Sequence, residues 1–176
     1  MYQVKASAIP KGRPKDKGVL IHTLCKVGKE DIIAYMGFEE LFESQLLFVT
    51  KSGYIKLVSG IEFETNRSMI ASTKLEDGDK VVSINLLSGS EVLEGNQKVI
   101  LLTAKGLSLG FPVSEVTELK KTSRGVKAIA LDDGDDVAYA ALVTPDTESF
   151  QFNDKTYSAK KVKMRKRGAK GHKATL

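Results

Sequence analysis

The hydrophobic residues of the chain fall into short runs separated by turns. Leu47–Val49 and Ile100–Leu102 are two such runs, and each is followed by a turn containing lysine and glycine and then by a second apolar run. Two short apolar runs around a glycine-containing turn predict a β-hairpin. No long stretch shows a helical stripe with caps. The pattern therefore predicts an all-β fold.

The hairpin pattern repeats along the chain. Residues 47–54 align with residues 100–107 at an offset of 53, and Leu75–Val81 aligns with Leu131–Val137 at an offset of 56. A repeat of about 50 residues is typical of propeller blades. Since each unit has the same order of hairpin, basic loop, Leu-x-x-Gly-Asp segment and final strand, we expect about three to four four-stranded blades.

The two ends of the chain also carry parts of this pattern. The Asn153–Asp154 turn between two apolar runs predicts a last hairpin over 150–157. Met1–Val4 resembles only the second half of a hairpin, so we expect the first unit to lack a strand. A ring of blades normally closes with strands from both termini, so the blades can form either a ring or an open crescent.

Charge divides the chain into two parts. The chain has 27 Lys and Arg, 22 Asp and Glu, and a net charge of +5. Residues 155–176 contain nine basic and no acidic residues, which leaves a net charge of −4 on residues 1–154. We therefore predict blades over 1–154 and a basic C-terminal segment over 155–176 that belongs to the last blade. Charge alone leaves open whether the segment binds a polyanion or is a disordered, solubilising end.

The sequence gives no support for catalysis. It has no Walker loop, no zinc-ligand spacing and no nucleophile–base pair, and Asp132–Asp136 lacks the spacing of a calcium loop. We expect that segment to form a turn, and we assign no catalytic residue, no metal and no cofactor. The short apolar runs, the lack of a signal segment and the single Cys25 predict a cytoplasmic protein that does not contact the membrane.

Three motifs follow one another along the chain: Lys17–Leu24, residues 102–131, and Arg165–Gly171. Together they resemble the C-terminal domain of the A subunit of DNA gyrase and topoisomerase IV. Lys17–Leu24 is similar to the Lys-Gly-x-Pro-Ile-x-x-Leu pattern of that family, with Leu20 at the proline position. Residues 102–131 match best. The gyrase A box, Gln-Arg-Arg-Gly-Gly-Lys-Gly, is similar at four of seven positions to the box-like segment Arg165, Lys166, Arg167, Gly168, Ala169, Lys170 and Gly171.

The resemblance implies a β-pinwheel, in which propeller-like blades exchange strands. It also implies a non-catalytic domain that binds and bends double-stranded DNA on a basic rim and tunes supercoiling or strand passage. The implied protein partners, both parts of a type II topoisomerase, are the remainder of the A subunit, together with the ATPase subunit. The box differs at three positions. A topoisomerase IV subunit or a gyrase-like relative therefore fits the sequence better than a gyrase that wraps DNA.

The DNA contacts are expected to come from lysines and arginines, which bind phosphate and release counterions. Nothing indicates base readout. The candidate residues lie in the basic loops and the C-terminal segment: Lys11, Arg13, Lys15, Lys17, Arg67, Lys74, Lys120, Lys121, Arg124, Lys127, Lys163, Arg165, Lys166, Arg167, Lys170 and Lys173.

Two other functions remain alternatives. One is a protein-interaction propeller with a basic docking tail, which the acidic body and an open strand edge favour. The other is an RNA- or ribosome-associated protein that uses the same positive charge.

Overall fold

Two four-stranded antiparallel sheets and one hairpin make up the computed structural model, which describes residues 1–28 and 32–175. The two α-helices are short: α1 (Phe38–Phe42) and α2 (Gly89–Glu94). The strands are β1 (Ser44–Thr50), β2 (Tyr54–Ser59), β3 (Val81–Ser88), β4 (Lys98–Thr103), β5 (Leu107–Pro112), β6 (Val126–Lys127), β7 (Val137–Val143), β8 (Ser149–Phe152), β9 (Lys155–Ser158) and β10 (His172–Lys173).

The predicted hairpins and final strands are confirmed. β1 and β2 form the first hairpin, β4 and β5 the second, and β8 and β9 the third, each in antiparallel register. β3 and β7 follow the two Leu-x-x-Gly-Asp segments, as the repeat predicts. In the last hairpin, Asn153 and Asp154 both have positive φ, at 48° and 57°. This is the geometry of a two-residue type I′ turn, which matches the twist of the strands.

Each four-stranded sheet takes its last strand from the following unit. The first blade has the order β3-β1-β2-β6, and the second has the order β7-β4-β5-β10. β6 lies beyond the second hairpin in the chain yet pairs with β2, so that Ile55 faces Val126. β10 pairs in the same way with β5, where Ser108 faces His172. The strand exchange that the resemblance implied is therefore present at two successive blades.

The two blades pack face to face. Leu47 and Val49 of β1 point into a core that also contains Leu101 of β4 and Phe111 of β5. The alternate residues of β1, such as Phe48, point to a second core on the other face of the first blade. Both faces of β1 are thus buried, which explains why its sequence is a continuous apolar run.

A buried aspartate joins each hairpin turn to the next segment of its unit. The Asp79 carboxylate accepts hydrogen bonds from the amides of Ser52 and Lys80, each at 2.8 Å. Asp135 accepts from the amides of Lys105 and Asp136, each at 3.0 Å. Burial raises the pKa of Asp135, but hydrogen bonds from Thr103 and the two amides outweigh it, and the net pKa is lowered. This gives the aspartate of each Leu-x-x-Gly-Asp segment a structural role, and the predicted turn over 132–136 is confirmed.

The β-pinwheel architecture is confirmed, and it is open over the described residues. Two units form complete four-stranded blades, while the last described hairpin has two strands. Among the described residues of the first unit, Tyr2 forms an isolated antiparallel bridge with Met69. None of the helices in the part of the chain that the structure describes is long and apolar enough to cross a bilayer. The division of the chain at residue 154 stays a prediction.

The close packing at Gly60 generates a stability prediction. A Cβ atom at Gly60 would lie 1.6 Å from the carbonyl oxygen of Leu41, whereas a Cβ atom at Gly37 would have no atom within 4 Å. We expect Gly60→Ala to lower the free energy of unfolding by about 1–3 kcal/mol, because backbone must move to accept the methyl group. Urea titration followed by circular dichroism measures the loss. Gly37→Ala is the control, and an equal effect of the two substitutions would contradict the packing argument.

Candidate nucleic-acid interface

Most of the candidate basic residues lie on two loops that follow the same path at successive blades. After its hairpin, each loop forms a short 3-10 helix, Val113–Glu115 or Ala159–Lys161, and returns to the preceding blade. Glu118 then bridges Leu57 in parallel, and Met164 bridges Gly110 in the same way. Since β6 and β10 also occupy equivalent positions, residues 118–127 correspond to residues 164–173 at a constant offset of 46.

A small residue lets each loop approach the preceding blade. A Cβ atom at Gly125 would lie 2.7 Å from the carbonyl oxygen of Ile55, and one at Gly171 would lie 2.9 Å from the Cβ of Leu107. Both contacts are too short for a side chain. The glycine therefore fixes the basic residue before it, Arg124 or Lys170, at the edge where the exchanged strand begins.

One basic residue in each loop holds the loop to the preceding unit. The Lys121 ammonium donates a hydrogen bond to the carbonyl of Glu62, and the Lys121 amide donates one to the carboxylate of the same residue. Arg167 occupies the corresponding position. Its Nε donates a hydrogen bond to the carbonyl of Glu115, and its amide donates one to the Glu115 carboxylate, each at 2.7 Å. Arg167 also donates Nη1 to the carbonyl of Lys127. Lys121 and Arg167 thus have a structural role that sequence reasoning missed.

A second basic residue in each loop forms an ion pair. Arg124 pairs with Glu76 at 2.9 Å, and its guanidinium lies 4.2 Å from the centre of the Tyr54 ring. Lys170 pairs with Asp132 at 2.8 Å. Lys120 also forms an ion pair, with Glu62 at 3.0 Å. Each of these pairs is at least partly exposed to solvent.

The remaining cations of the C-terminal segment are exposed. Lys163, Arg165 and Lys166 form no ion pair with any residue within 1–28 and 32–175. The pKa of His172 is lowered by desolvation and by the positive charges of Arg165 and Lys163. Lys127 and Lys173, at matching positions on β6 and β10, are exposed as well.

The backbone of the box-like segment is fixed between the two blades. The Gly168 amide donates to the carbonyl of Ala128 at 2.8 Å, and the Ala169 carbonyl accepts from Ala130 at 3.0 Å. Arg165 donates its amide to the carbonyl of Gly110 at 2.8 Å. These hydrogen bonds place the segment in the fold and leave its exposed side chains on a fixed backbone.

The candidate basic residues of the first two units lie outside these two loops in the sequence. The Pro10–Gly18 loop is exposed and contains Lys11, Arg13, Lys15 and Lys17, of which Arg13 pairs with Asp16 at 3.8 Å. Arg67 is exposed. Lys74 lies beside the basic loop of the third unit, because its amide donates to the carbonyl of Ser123 at 3.4 Å.

A buried lysine supports the first of the two basic loops. Lys56 is fully buried on β2, and its ammonium donates to the carbonyls of Lys120, Lys121 and Ser123 at 3.3, 2.8 and 2.7 Å. Burial lowers the pKa of Lys56 to about 8, an effect that the negative charge of Glu62 partly opposes. Sequence reasoning missed this residue. The available signal was a lysine within the apolar run Ile55–Val58.

Comparisons with known proteins find similar sequences and structures. The family model described as DNA gyrase C-terminal domain, beta-propeller, matches residues 44–88 and 97–144. The A subunit of DNA gyrase from Helicobacter pylori is 32% identical over 83% of this chain and 17% of its own length. The corresponding gyrase protein of Campylobacter jejuni is 26% identical over 97% of this chain and 24% of its own length. The chain thus spans less than a quarter of the length of these curated relatives.

Solved structures share the fold. A crystal structure of the C-terminal domain of DNA topoisomerase IV superposes with a TM-score of 0.77 at 24% identity, over 94% of this chain and 52% of that one. A structure of the DNA gyrase A C-terminal domain superposes with a TM-score of 0.69 at 24% identity, over 90% of this chain and 52% of that one.

The buried ammonium generates a pH prediction. The pKa of Lys56 falls from its ordinary 10.5 to about 8 on folding, so the folded state binds fewer protons than the unfolded state between these values. We expect the free energy of unfolding of wild type, minus that of Lys56→Leu, to rise by roughly 1–3 kcal/mol as the pH increases from about 8 to 10.5. Urea titrations at about pH 7, about pH 9 and about pH 10.5 measure the difference.

Leucine is the matched substitution, because Leu109 occupies the position of Lys56 in the second blade. The control is Lys155→Leu at an exposed position on β9. A stability difference between wild type and Lys56→Leu that stays flat with pH would contradict the assignment.

Proposed function

Since the chain belongs to the C-terminal domain family of the gyrase A protein, which is part of a type IIA topoisomerase, we propose that it binds duplex DNA through its basic loops. The observation that supports this most directly is the set of exposed cations Lys163, Arg165 and Lys166 on a hydrogen-bonded backbone. Lysine and arginine that neutralise phosphates release condensed counterions, which favours binding. Because the backbone of this segment is already fixed, little backbone conformational entropy is lost on binding.

The second part of the proposal is that the domain bends DNA. Two basic loops follow the same path on neighbouring blades, so cations recur from one unit to the next. Bending a duplex costs several kcal/mol by elastic estimates, and distributed contacts can compensate for this cost. Lys120, Lys127 and Lys173 extend the charge along the same loops. The four basic residues of the Pro10–Gly18 loop, with Arg67 and Lys74, are proposed as additional contacts.

Binding is expected to be independent of base sequence. The helix in each basic loop is a single 3-10 turn of three residues. Such a turn is too short to lie in a DNA groove and contact base edges. Contacts to the phosphate backbone position a protein on DNA and carry no direct sequence information. As in the family that it resembles, the domain would have a non-catalytic role within a cytoplasmic topoisomerase, where it would tune supercoiling or strand passage.

The rest of the enzyme enters this proposal through the family. The implied protein partners are the remainder of the A subunit, together with the ATPase subunit. The box-like segment differs from the gyrase A box at Arg165, Lys166 and Ala169. Ala169 packs against the core between the blades, so this difference affects packing as well as charge. Wrapping weaker than that of gyrase remains our expectation.

The proposal predicts a loss of affinity when the exposed cations are removed. We expect the triple substitution Lys163→Ala, Arg165→Ala and Lys166→Ala to weaken binding to a duplex of a few helical turns by about tenfold or more at low salt. The slope of log K against log salt should become shallower by up to about three, because about 0.9 counterion is released per phosphate contact. Fluorescence anisotropy at several KCl concentrations measures both quantities.

The matched control removes the same charge elsewhere. Lys5, Lys26 and Lys80 are exposed lysines outside the candidate set, and their triple alanine variant should lose much less affinity. Equal losses in the two variants would indicate a general effect of net charge. Absence of duplex binding by the wild-type chain at low salt would reject the proposal and favour a protein-interaction role for the basic segment, and preference for structured RNA would favour the third alternative.

A further inference from the structure

Two carboxylates occupy the same position in successive repeats. Glu76 and Asp132 each follow the leucine of a Leu-x-x-Gly-Asp segment, 56 residues apart. Each pairs with the basic residue that precedes the exchanged strand of the next unit, Arg124 or Lys170. The geometry is therefore a property of the repeat and joins neighbouring units at both described blade contacts.

These ion pairs lie where the proposed DNA contacts lie. The side chains of Glu76 and Asp132 are 55% and 50% exposed, and those of Arg124 and Lys170 are 40% and 60% exposed. Exposed ion pairs contribute little to stability, so their cations can exchange partners at low cost. A phosphate group offers anionic oxygens that arginine and lysine bind as they bind a carboxylate.

We propose that Glu76 and Asp132 compete with DNA phosphates for Arg124 and Lys170, and thereby hold the affinity of the domain below the value that its cations would otherwise give. This inference rests on the proposed duplex binding. Each carboxylate acts in two ways, because it occupies a cation and it repels a phosphate that approaches the same edge.

The competition differs along the chain. Arg67, an exposed cation of the second unit, forms no ion pair within the described part of the chain. The third and last units would thus have restrained cations, Arg124 and Lys170, while Arg67 in the second unit would be unrestrained. The repeat can in this way set a different phosphate affinity at each blade.

The test is a gain of affinity. The double variant Glu76→Gln and Asp132→Asn keeps the shape of both side chains and removes their charge. We expect it to bind a duplex of about 40 base pairs several-fold more tightly than wild type at low salt, about 3- to 10-fold. The slope of log K against log salt should steepen by up to about two, since two cations become available to phosphates. Fluorescence anisotropy over a series of KCl concentrations gives both values.

The structure provides a matched control in the same two turns. Asp77 and Asp133 are exposed, directly follow Glu76 and Asp132, and form no ion pair among the described residues. The double variant Asp77→Asn and Asp133→Asn therefore removes the same net charge from nearly the same place. We expect its affinity to rise by less than about twofold, because only long-range repulsion, which salt screens, is reduced.

The outcomes separate this inference from the proposal beneath it. If wild type binds DNA and the two double variants have equal affinities, or if the first binds more weakly than wild type, the competition is refuted while duplex binding stands. If wild type does not bind DNA, both statements fail. A gain of affinity in the first variant alone supports the competition, and partial unfolding would not be expected to produce that result.

Discussion

The structure depends on one constraint, which is that the second strand of each hairpin needs a backbone partner on its outer edge. β2 and β5 would leave amide and carbonyl groups unpaired there, and β6 and β10 from the following units satisfy them. The exchanged strands are only two residues long. They nevertheless fix the path of the basic loops, because each loop must leave its own hairpin and reach the preceding blade.

The same constraint divides the basic residues into two kinds. Some are needed to hold a loop against the preceding unit, as when Lys121 bonds to Glu62 and Arg167 to Glu115. Lys56 serves the same end from inside the first blade, where its ammonium satisfies three loop carbonyls. Others, such as Lys166, remain exposed on a loop already held in place. A positive charge in this chain is therefore not by itself a sign of ligand binding.

The units at the two ends show what the constraint means where a neighbouring hairpin is absent from the described residues. Val19 and Leu20 follow a basic residue and a glycine, as the two residues of β6 do, and they are 50% and 66% exposed. The last hairpin, β8 and β9, has no exchanged strand on its edge within the described chain. It is instead held on the second blade by aromatic contacts, in which Tyr139 lies 5.8 Å from Phe150 and 5.0 Å from Phe152 between ring centres.

The sequence alone determined the hairpins, their turns, the repeat and the basic C-terminal segment, because these features depend on alternation and turn chemistry between near neighbours. Asn153–Asp154 is an example, since a two-residue turn is encoded where it forms. One local signal was overlooked, namely the capping box of Ser88 and Glu91 that begins α2.

Only the tertiary structure decided which basic residues are exposed and which hold the fold. Arg167 and its neighbour Lys166 have similar charge, yet one bonds to Glu115, more than 50 residues earlier, and the other faces solvent. The pairing of Glu76 with Arg124 likewise joins residues 48 positions apart. Such contacts depend on how successive blades exchange strands, and local sequence patterns carry no direct record of the distances between those residues.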